Sequence, residues 1–229
     1  MSTIKDFYNK QGKKYFLSLD EENVHQKILK IVGSSLKILD VGCSNGYLSR
    51  LLKEKGNIVY GIEINEKAAE IAKGILDGLI VGNIEEIDLP WPEMLFDVII
   101  CADVLEHLFD PGRVLVKLKK HLKDDGILIC SIPNIAYYGV RKALLLGRFD
   151  YQDAGTLDRG HIRFFTLAAA ERMFRETGYG VLNVDCSLYL PPFLSKPRMI
   201  HNLFYRLSKK CFRNLLGYQF LFVVQKEAP

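Results

Sequence analysis

Short runs of apolar residues alternate along the chain with stretches whose apolar residues recur at helical spacing. The apolar runs read KILDV (37–41), IVYGIE (58–63), GLIVGN (78–83), FDVIICA (96–102) and GILICSIP (126–133). Segments between them, such as YLSRLLKEKG and NEKAAEIAKGIL, place their apolar residues on one side of a helix. Continuous apolar strands separated by amphipathic helices indicate a parallel sheet covered on both faces. The pattern therefore predicts an α/β doubly wound fold with ligands at the carboxyl ends of its strands.

Glycines and cap-forming side chains predict where the helices begin and end. Gly56 and Gly126 stand where two helices should stop. Thr166 and Gly178 bracket a further helix over TLAAAERMFRETG, with the threonine as its N-cap. Two later apolar runs, VLNVDCSLYL and YQFLFVVQKE, predict the last two strands.

The stretch between Asn134 and Phe165 mixes aromatic, charged and glycine residues without a clean period, and we expect it to form a lid over the site. We predict one domain over residues 1–229. Its expected parts are a helical N-terminal cap (1–34), a core (35–133), the lid (134–165) and a C-terminal helix with strands (166–229).

Composition narrows the function classes only slightly. The chain has 229 residues, of which 48% are hydrophobic, and its net charge is +4, so nucleic acid is not an expected partner. The five cysteines form no CxxC pair, and the N-terminal stretch lacks the apolar core of a signal peptide. We therefore expect reduced thiols and a cytoplasmic protein, either a monomer or a homodimer.

A basic amphipathic segment at 196–216 leaves two interpretations open. It combines apolar and aromatic residues with six lysines and arginines. We favour an ordinary helix that packs on the last strands and exposes its basic face. The alternative is an interfacial helix that makes peripheral contact with a membrane.

The stretch ILDVGCSNG (38–46) joins a buried strand to a helix predicted to start near Asn45. Gly42 lets the backbone turn and approach a ligand without a Cβ in the way. A GxxxG turn is a weak signal alone, because dinucleotide-binding turns read GxGxxG. The end of the next strand adds to it, since Glu63 lies 21 residues after Gly42. A carboxylate at about this interval can accept both hydroxyls of a ribose.

Taken with GNIEEIDLP, FDVIICADVLEHLFDP and LKKHLKDDGILICSIPN, these motifs resemble the class I S-adenosylmethionine-dependent methyltransferases. The resemblance covers about residues 20–190 and is closest to the small-molecule, polysaccharide-biosynthesis and ubiquinone-pathway branch. It implies a seven-stranded Rossmann-like sheet, mostly parallel with an antiparallel C-terminal strand. It also implies S-adenosylmethionine as the cofactor.

The family's cofactor contacts transfer to positions that match its motifs. The methionine end, the ribose, the adenine and the sulfonium would be met by Asp40, Gly42, Cys43, Ser44, Gly46, Glu63, Ile64, Asn83, Ile84, Cys101 and Ala102. Asn83 departs from the family's usual aspartate but can still accept a hydrogen bond from the adenine amino group. Asp40 has a second interpretation, in which it fixes the glycine turn by hydrogen bonding.

The loop ADVLEHLFDP follows the fourth strand, where a methyl acceptor should sit. If Val104 begins a helical turn, then Asp103, Glu106 and His107 project on one face. Ubiquinone-pathway and small-RNA 3′-end methyltransferases have a similar acid-x-x-Glu-His run, and the RNA enzymes add a later histidine, here matched by His161. We favour no metal; a divalent metal on Asp103, Glu106, His107 and His161 is the alternative.

The DRGHIRFFT stretch resembles an HxRFFT motif of methyltransferases in polysaccharide synthesis. His161 is the candidate general base, because an imidazole suits proton removal near neutral pH. In the alternative, His161 bonds Asp158 or a backbone carbonyl and fixes the lid. Asp103 and His107 are further catalytic candidates. Tyr137, Arg159 and Arg163 are candidate substrate contacts, although both arginines could instead pair with aspartates of the lid. No role is predicted for His25.

We expect O-methylation of a hydroxyl on a small molecule or glycan, since an oxygen nucleophile needs a base or a metal and the chain offers both. The alternatives are a metal-dependent RNA 2′-O-methyltransferase and a non-enzymatic Rossmann-like binding module. A nicotinamide-dependent oxidoreductase is disfavoured, because the GxGxxG turn is missing.

Overall fold

The computed structural model describes residues 23–188 and 212–227. The helices in this part of the chain are α1 (Val24–Ile31), α2 (Tyr47–Glu54), α3 (Glu66–Lys73), the 3₁₀ turn Leu105–His107, α4 (Pro111–His121), α5 (Tyr138–Leu145), α6 (Leu167–Glu176) and α7 (Arg213–Leu216). The strands are β1 (Lys37–Val41), β2 (Ile58–Glu63), β3 (Gly78–Val81), β4 (Phe96–Ala102), β5 (Leu122–Pro133), β6 (Tyr179–Leu188) and β7 (Gly217–Lys226). Each strand predicted from an apolar run is present.

The strands form one seven-stranded sheet in the order β3-β2-β1-β4-β5-β7-β6. The pairs from β3 to β5 are parallel, and β7 runs antiparallel to both β5 and β6. The mostly parallel sheet with an antiparallel C-terminal strand is confirmed. Because the chain leaves β1 toward β2 and later returns to β4 on its other side, the carboxyl ends of β1 and β4 flank a topological switch point.

Apolar side chains alternate between two cores, one on each face of the sheet. One core packs Leu39 of β1 against residues of α4 and α6, including Leu115 and Phe174. The other packs Ile38 against α1 and α2, through residues such as Ile28 and Leu52. Successive strand residues point to opposite faces, so Asp40 points to the same side as Ile38, toward α2.

Helix α1 is bonded to β6, the strand at one edge of the sheet. Asn23 caps it by accepting from His25 N at 2.9 Å. The buried Lys27 Nζ lies 3.0 Å from Asp185 Oδ2 and donates to Cys186 O at 2.8 Å. These bonds anchor α1 to β6.

Most predicted helix ends are confirmed, and one is wrong. Thr166 Oγ1 accepts from Ala169 N at the start of α6. Gly56 and Gly178 follow helices with φ of +84° and +77°, a conformation that favours glycine. Gly126, however, does not end a helix: α4 stops at His121, and β5 already begins at Leu122. The chain turns from helix to strand without a left-handed residue, because Leu122 is extended and closes the helix itself.

The lid has more regular structure than its sequence suggested, because α5 occupies its first third. A small apolar cluster of Tyr137, Val140 and Leu157 holds the lid together. Parts of two predictions, the cap at 1–22 and the basic segment at 196–211, fall outside the described residues. Within the described ranges, every helix is too short or too polar to cross a bilayer.

Candidate active site

The turn after β1 has the geometry that the glycine motif predicted. Gly42 and Gly46 have φ of +72° and +75°, and Ser44 also adopts a positive φ of 51°. The N–H groups of Gly42 and Cys43 both donate to Ile62 O, at 2.8 and 3.1 Å. A Cβ on Gly42 would lie 2.8 Å from Val104 Cγ2, so the turn packs directly against the loop that follows β4.

Glu63 bridges the ends of β1 and β2. Its side chain is buried, and its two oxygens accept from Ser44 N and Asn65 N, each at 2.7 Å. Burial raises the pKa of Glu63, while these backbone bonds oppose the rise. The carboxylate therefore already shapes the glycine turn. Each oxygen retains a lone pair for a further donor.

Asp40 acts on the helix that follows the turn. It is buried on β1, and its Oδ2 accepts from Ser49 Oγ of α2 at 2.5 Å. Burial raises the pKa of Asp40 to about 7, against the lowering effect of the Ser49 bond. This contact is the one expected of a residue that fixes the turn by hydrogen bonding.

The raised pKa of Asp40 predicts a stability that falls with pH. A group whose pKa is higher in the folded state stabilises fully below its unfolded pKa, and that contribution is lost as the pH rises through about 7. In urea titrations, the free energy of unfolding of Asp40→Asn should rise relative to that of the wild type by roughly 2–3 kcal/mol between about pH 5 and 8. Ser49→Ala should shift this pH-dependent loss of stability to higher pH, because the Ser49 bond lowers the pKa of Asp40. A difference that stays constant with pH would contradict the assignment.

The remaining predicted cofactor positions line the same edge of the sheet. Ile84 is buried, and Asn83 caps the turn after β3 by accepting from Glu85 N at 3.0 Å. Asn83 Nδ2 also donates to Glu86 Oε1, at 3.0 Å. Cys43 and Cys101 are buried and free, Ala102 is half-buried at the end of β4, and Ile64 follows β2.

Asp103 does not share a face with Glu106 and His107, so this prediction is wrong. Its backbone adopts a positive φ of 57°, and the helical turn begins only at Leu105. Asp103 Oδ1 accepts from Ser131 Oγ at 2.8 Å and from Gln219 Nε2. The left-handed residue turns this carboxylate toward β5 and β7 instead.

Glu106, His107 and His161 form a compact cluster beneath the lid. One potential metal-ligating atom from each residue lies within 4.8 Å of the others, a group that does not include Asp103. The imidazole rings are 4.8 Å apart between centroids, and His161 Nε2 lies 3.9 Å from Glu106 Oε1. The lid is tied here by Ile162 N and Arg163 N, which both donate to Glu106 O at 3.0 Å.

The cluster has the chemistry of a cation site. Glu106 is only 1% exposed, and neither of its carboxylate oxygens has a hydrogen-bond partner among residues 23–188 and 212–227. Each histidine engages a backbone carbonyl through Nδ1, His107 with Gly160 O at 2.9 Å and His161 with Thr156 O at 3.0 Å. Such carbonyl contacts orient histidines whose Nε2 binds a metal.

Electrostatics in the cluster follow from burial. Burial, reinforced by the charge of Asp103, raises the pKa of Glu106 well above its usual range. Burial and the neighbouring His161 lower the pKa of His107. A buried carboxyl group that lacks hydrogen-bond partners in the described part of the chain is costly, and it suits a divalent cation, as does a neutral imidazole.

The predicted substrate contacts lie in or beside the lid. Arg159 Nε pairs with the exposed Asp153 at 3.1 Å, which is the pairing left open as an alternative. The Arg163 guanidinium donates to Phe109 O. Tyr137 is buried and packs edge-on against Tyr218 of β7, 5.4 Å away. Tyr137 therefore helps to hold the lid against the sheet.

Four polar residues of this region escaped the sequence analysis. His25 and Tyr47 meet across α1 and α2, and Ser131 and Gln219 hold Asp103. Ser131 could have been noticed as a lone hydroxyl inside the apolar run ICSIP. The others carry no local signal, because pairing of distant elements brings them here.

Comparison with known proteins places the chain among methyltransferases. A family model described as a methyltransferase domain matches residues 10–184. The ubiquinone biosynthesis O-methyltransferase of Haemophilus ducreyi is 38% identical over 107 residues, which are 43% of this chain and 45% of that protein. The enzyme of the same name from Rickettsia conorii is 33% identical over 120 residues, 50% of this chain and 39% of its own. The chain thus spans less than half the length of these relatives.

Solved structures share the fold at low sequence identity. An S-adenosylmethionine-dependent methyltransferase from Thermotoga maritima aligns with a TM-score of 0.63 at 19% identity, over 89% of this chain and 87% of its own. A second one, from Archaeoglobus fulgidus, aligns with a TM-score of 0.62 at 15% identity, over 88% of this chain and 90% of its own. The cyclase SpnF aligns with a TM-score of 0.61 at 15% sequence identity, over 95% of this chain and 86% of its own. The architecture therefore hosts more than one chemistry.

Proposed function

Because the chain belongs to the methyltransferase-domain family, which confirms the resemblance seen in its motifs, we propose that it transfers a methyl group from S-adenosylmethionine to a hydroxyl oxygen. The observation that carries this proposal is the position of the Glu106–His107–His161 cluster. Glu106 and His107 follow β4 on the loop whose Val104 packs against the glycine turn, and His161 joins them from the lid. A cofactor turn and a group able to activate a hydroxyl thus lie at one sheet edge.

S-adenosylmethionine, when bound, supplies a sulfonium methyl group that is open to in-line attack. Gly42 gives the ligand close access to backbone. Glu63 accepts the ribose hydroxyls through the lone pairs that Ser44 N and Asn65 N leave unused. Ile64, Asn83 and Ile84 bound the adenine side. These residues orient the cofactor, and correct approach geometry alone lowers a barrier by several kcal/mol.

A divalent cation fits the cluster, and we propose Glu106, His107 and His161 as its ligands. It would lower the pKa of an acceptor hydroxyl near it. Two observations favour it: the Glu106 oxygens have no hydrogen-bond partner within residues 23–188 and 212–227, and backbone carbonyls orient both imidazoles. Without a cation, His161 would serve as general base, since its Nε2 faces the same space as Glu106.

The acceptor is proposed to be a small molecule or glycan. The ubiquinone-pathway relatives support a small hydroxylated acceptor over RNA. The lid contributes aromatic side chains, since its residues Tyr137 and Phe164 lie in one apolar cluster with Tyr218 of β7. A cytoplasmic location and a monomer or homodimer remain predictions. Membrane contact through 196–216 remains the less favoured alternative to a packed helix, and liposome sedimentation with and without that segment tests it.

Calorimetric titration with S-adenosylmethionine and S-adenosylhomocysteine tests the proposed cofactor. We expect binding by the wild type and a loss of at least about 100-fold in Glu63→Ala, because removing the carboxylate abolishes two charge-assisted ribose bonds and loosens the turn. Glu66→Ala, on the exposed start of α3, is the matched control and should bind normally. Absence of binding by the wild type would overturn the proposal.

A further inference from the structure

The tip of the lid exposes a run of consecutive leucines. Leu144, Leu145 and Leu146 are 49%, 87% and 63% exposed, and Leu145 is the most exposed large apolar side chain in the described part of the chain. Phe149, three residues further on, is also exposed and packs edge-on against Tyr151, with ring centroids 5.6 Å apart. Single exposed leucines are common on proteins, whereas a continuous apolar patch marks an interaction surface.

Hydrogen bonds fix the backbone of this tip. In the Schellman motif that ends α5, Gly147 N donates to Leu144 O at 2.9 Å. Arg148 N donates to Ala143 O, also at 2.9 Å, and Gly147 adopts the left-handed φ of +71° that the motif requires. The one buried residue of the helix, Val140, belongs to the apolar cluster that holds the lid together. The leucines are therefore displayed by a closed helix end.

Positive charge surrounds the leucines. Arg141 and Lys142 precede them, Arg148 follows them, and all three side chains are exposed. None of the three forms an ion pair with another residue that the structure describes. The sequence has no aspartate or glutamate over 126–149, and Asp150 is the first acid after the leucines. An apolar tip with a cationic rim is complementary to a surface that has an apolar interior and anionic headgroups.

The shape of the tip fits a lipid surface better than a second copy of the chain. Consecutive residues of a helix are rotated by about 100°, so the three leucines fan out and share no flat face. A fluid bilayer accepts such a fan, whereas a protein surface would need a pocket around each side chain. A symmetric contact between two lids would also bring the cations of both copies together.

We propose that the lid tip inserts into the headgroup region of a membrane that contains anionic lipids. The three leucines and Phe149 reach the boundary of the acyl chains, while Lys142 and Arg148 meet the lipid phosphates. The contact is peripheral, because α5 has eight residues and cannot cross a bilayer. Since the same lid carries His161, this contact brings the proposed active site to the lipid surface.

Vesicle sedimentation with the full chain tests the proposal. We expect binding to vesicles of phosphatidylcholine with phosphatidylglycerol, and much weaker binding to phosphatidylcholine alone. Leu145→Gln combined with Leu146→Gln should weaken binding more than about tenfold, because the apolar burial is lost. Lys142→Glu combined with Arg148→Glu should weaken it by a similar factor, and added salt should weaken the wild type. Ile71→Gln, at a site of 59% exposure on α3, is the matched control and should bind normally.

Insertion of the tip can be observed directly. Brominated lipids should quench the fluorescence of Leu145→Trp more than that of the wild type, whose single tryptophan is Trp91. The substituted side chains are exposed, so every variant should keep the urea midpoint of the wild type within experimental error.

Three results would overturn the inference. The first is a wild type that does not bind vesicles, and the second is equal binding by the double leucine variant, which would place the contact elsewhere in the chain. The third is a dimer that the double leucine variant abolishes, without any binding to lipid. Methyl transfer and cofactor binding are measured without vesicles, so the proposed function and the membrane contact can fail independently.

Discussion

Glu106→Gln is expected to abolish divalent-metal binding and, at the same time, to stabilise the metal-free protein. The amide removes a ligand charge, so Mn²⁺ or Zn²⁺ titrated calorimetrically should no longer bind. It also removes the cost of a buried carboxylate whose two oxygens lack hydrogen-bond partners among the described residues. Because an amide cannot ionise, it avoids the cost that burial places on the charged carboxylate, and the gain in the free energy of unfolding should appear above the usual pKa of a glutamate. Residues of functional sites often lower the stability of the folded protein.

Asp103→Asn provides the matched control for the metal. It alters an acid that lies outside the cluster but whose charge reaches Glu106, so it should weaken metal binding far less than Glu106→Gln does. Thermal unfolding with EDTA and with added metal gives the second measurement. Metal should raise the melting temperature of the wild type and of Asp103→Asn, but not that of Glu106→Gln. A metal-dependent shift in Glu106→Gln would contradict the ligand assignment.

Gly42→Ala should lose cofactor binding and stability together. The new Cβ meets Val104 Cγ2 at 2.8 Å, and the backbone φ of +72° disfavours any residue with a Cβ. Conformational strain of about 1 kcal/mol and overpacking of about 1–3 kcal/mol add to roughly 2–4 kcal/mol. Since the displaced turn also carries the ligand-facing backbone, S-adenosylhomocysteine affinity should fall more than about tenfold.

Gly56→Ala separates the effect of backbone strain from the effect of overpacking. Gly56 has a similar φ of +84°, but a Cβ there would meet nothing within 4 Å. It should therefore cost only the conformational term, about 1 kcal/mol by urea denaturation, and leave ligand affinity unchanged. Equal losses in the two variants would show that the contact with Val104 is unimportant, contrary to the proposed role of the turn.

The elements and the cofactor edge could be predicted from local patterns because their physical causes are local. A buried parallel strand carries a continuous apolar run, as in the VIICA part of β4. A left-handed turn requires glycine, as at Gly42, and an N-cap requires a short polar side chain, as at Thr166. Glu63 was identifiable because strand ends have a regular spacing in this kind of unit.

Predictions failed where the outcome depends on contacts between distant residues. Gly126 looked like a helix end, yet the strand that pairs with β4 already begins at Leu122, so Gly126 lies inside β5. Asp103 looked like a partner of Glu106, yet its left-handed backbone and its bonds to Ser131 and Gln219 turn it away. Neither the backbone strain nor the β7 partner is visible in the local sequence.

The sequence by itself determined the alternation of strands and helices, the glycine turn and the acid that faces it, since each follows from the conformational preferences or hydropathy of neighbouring residues. Only the tertiary structure decided which polar groups meet. It brought His161 of the lid to Glu106, and His25 of α1 to Tyr47 of α2. Such meetings depend on sheet order and on the path of the lid, which are set by burial of both sheet faces as a whole.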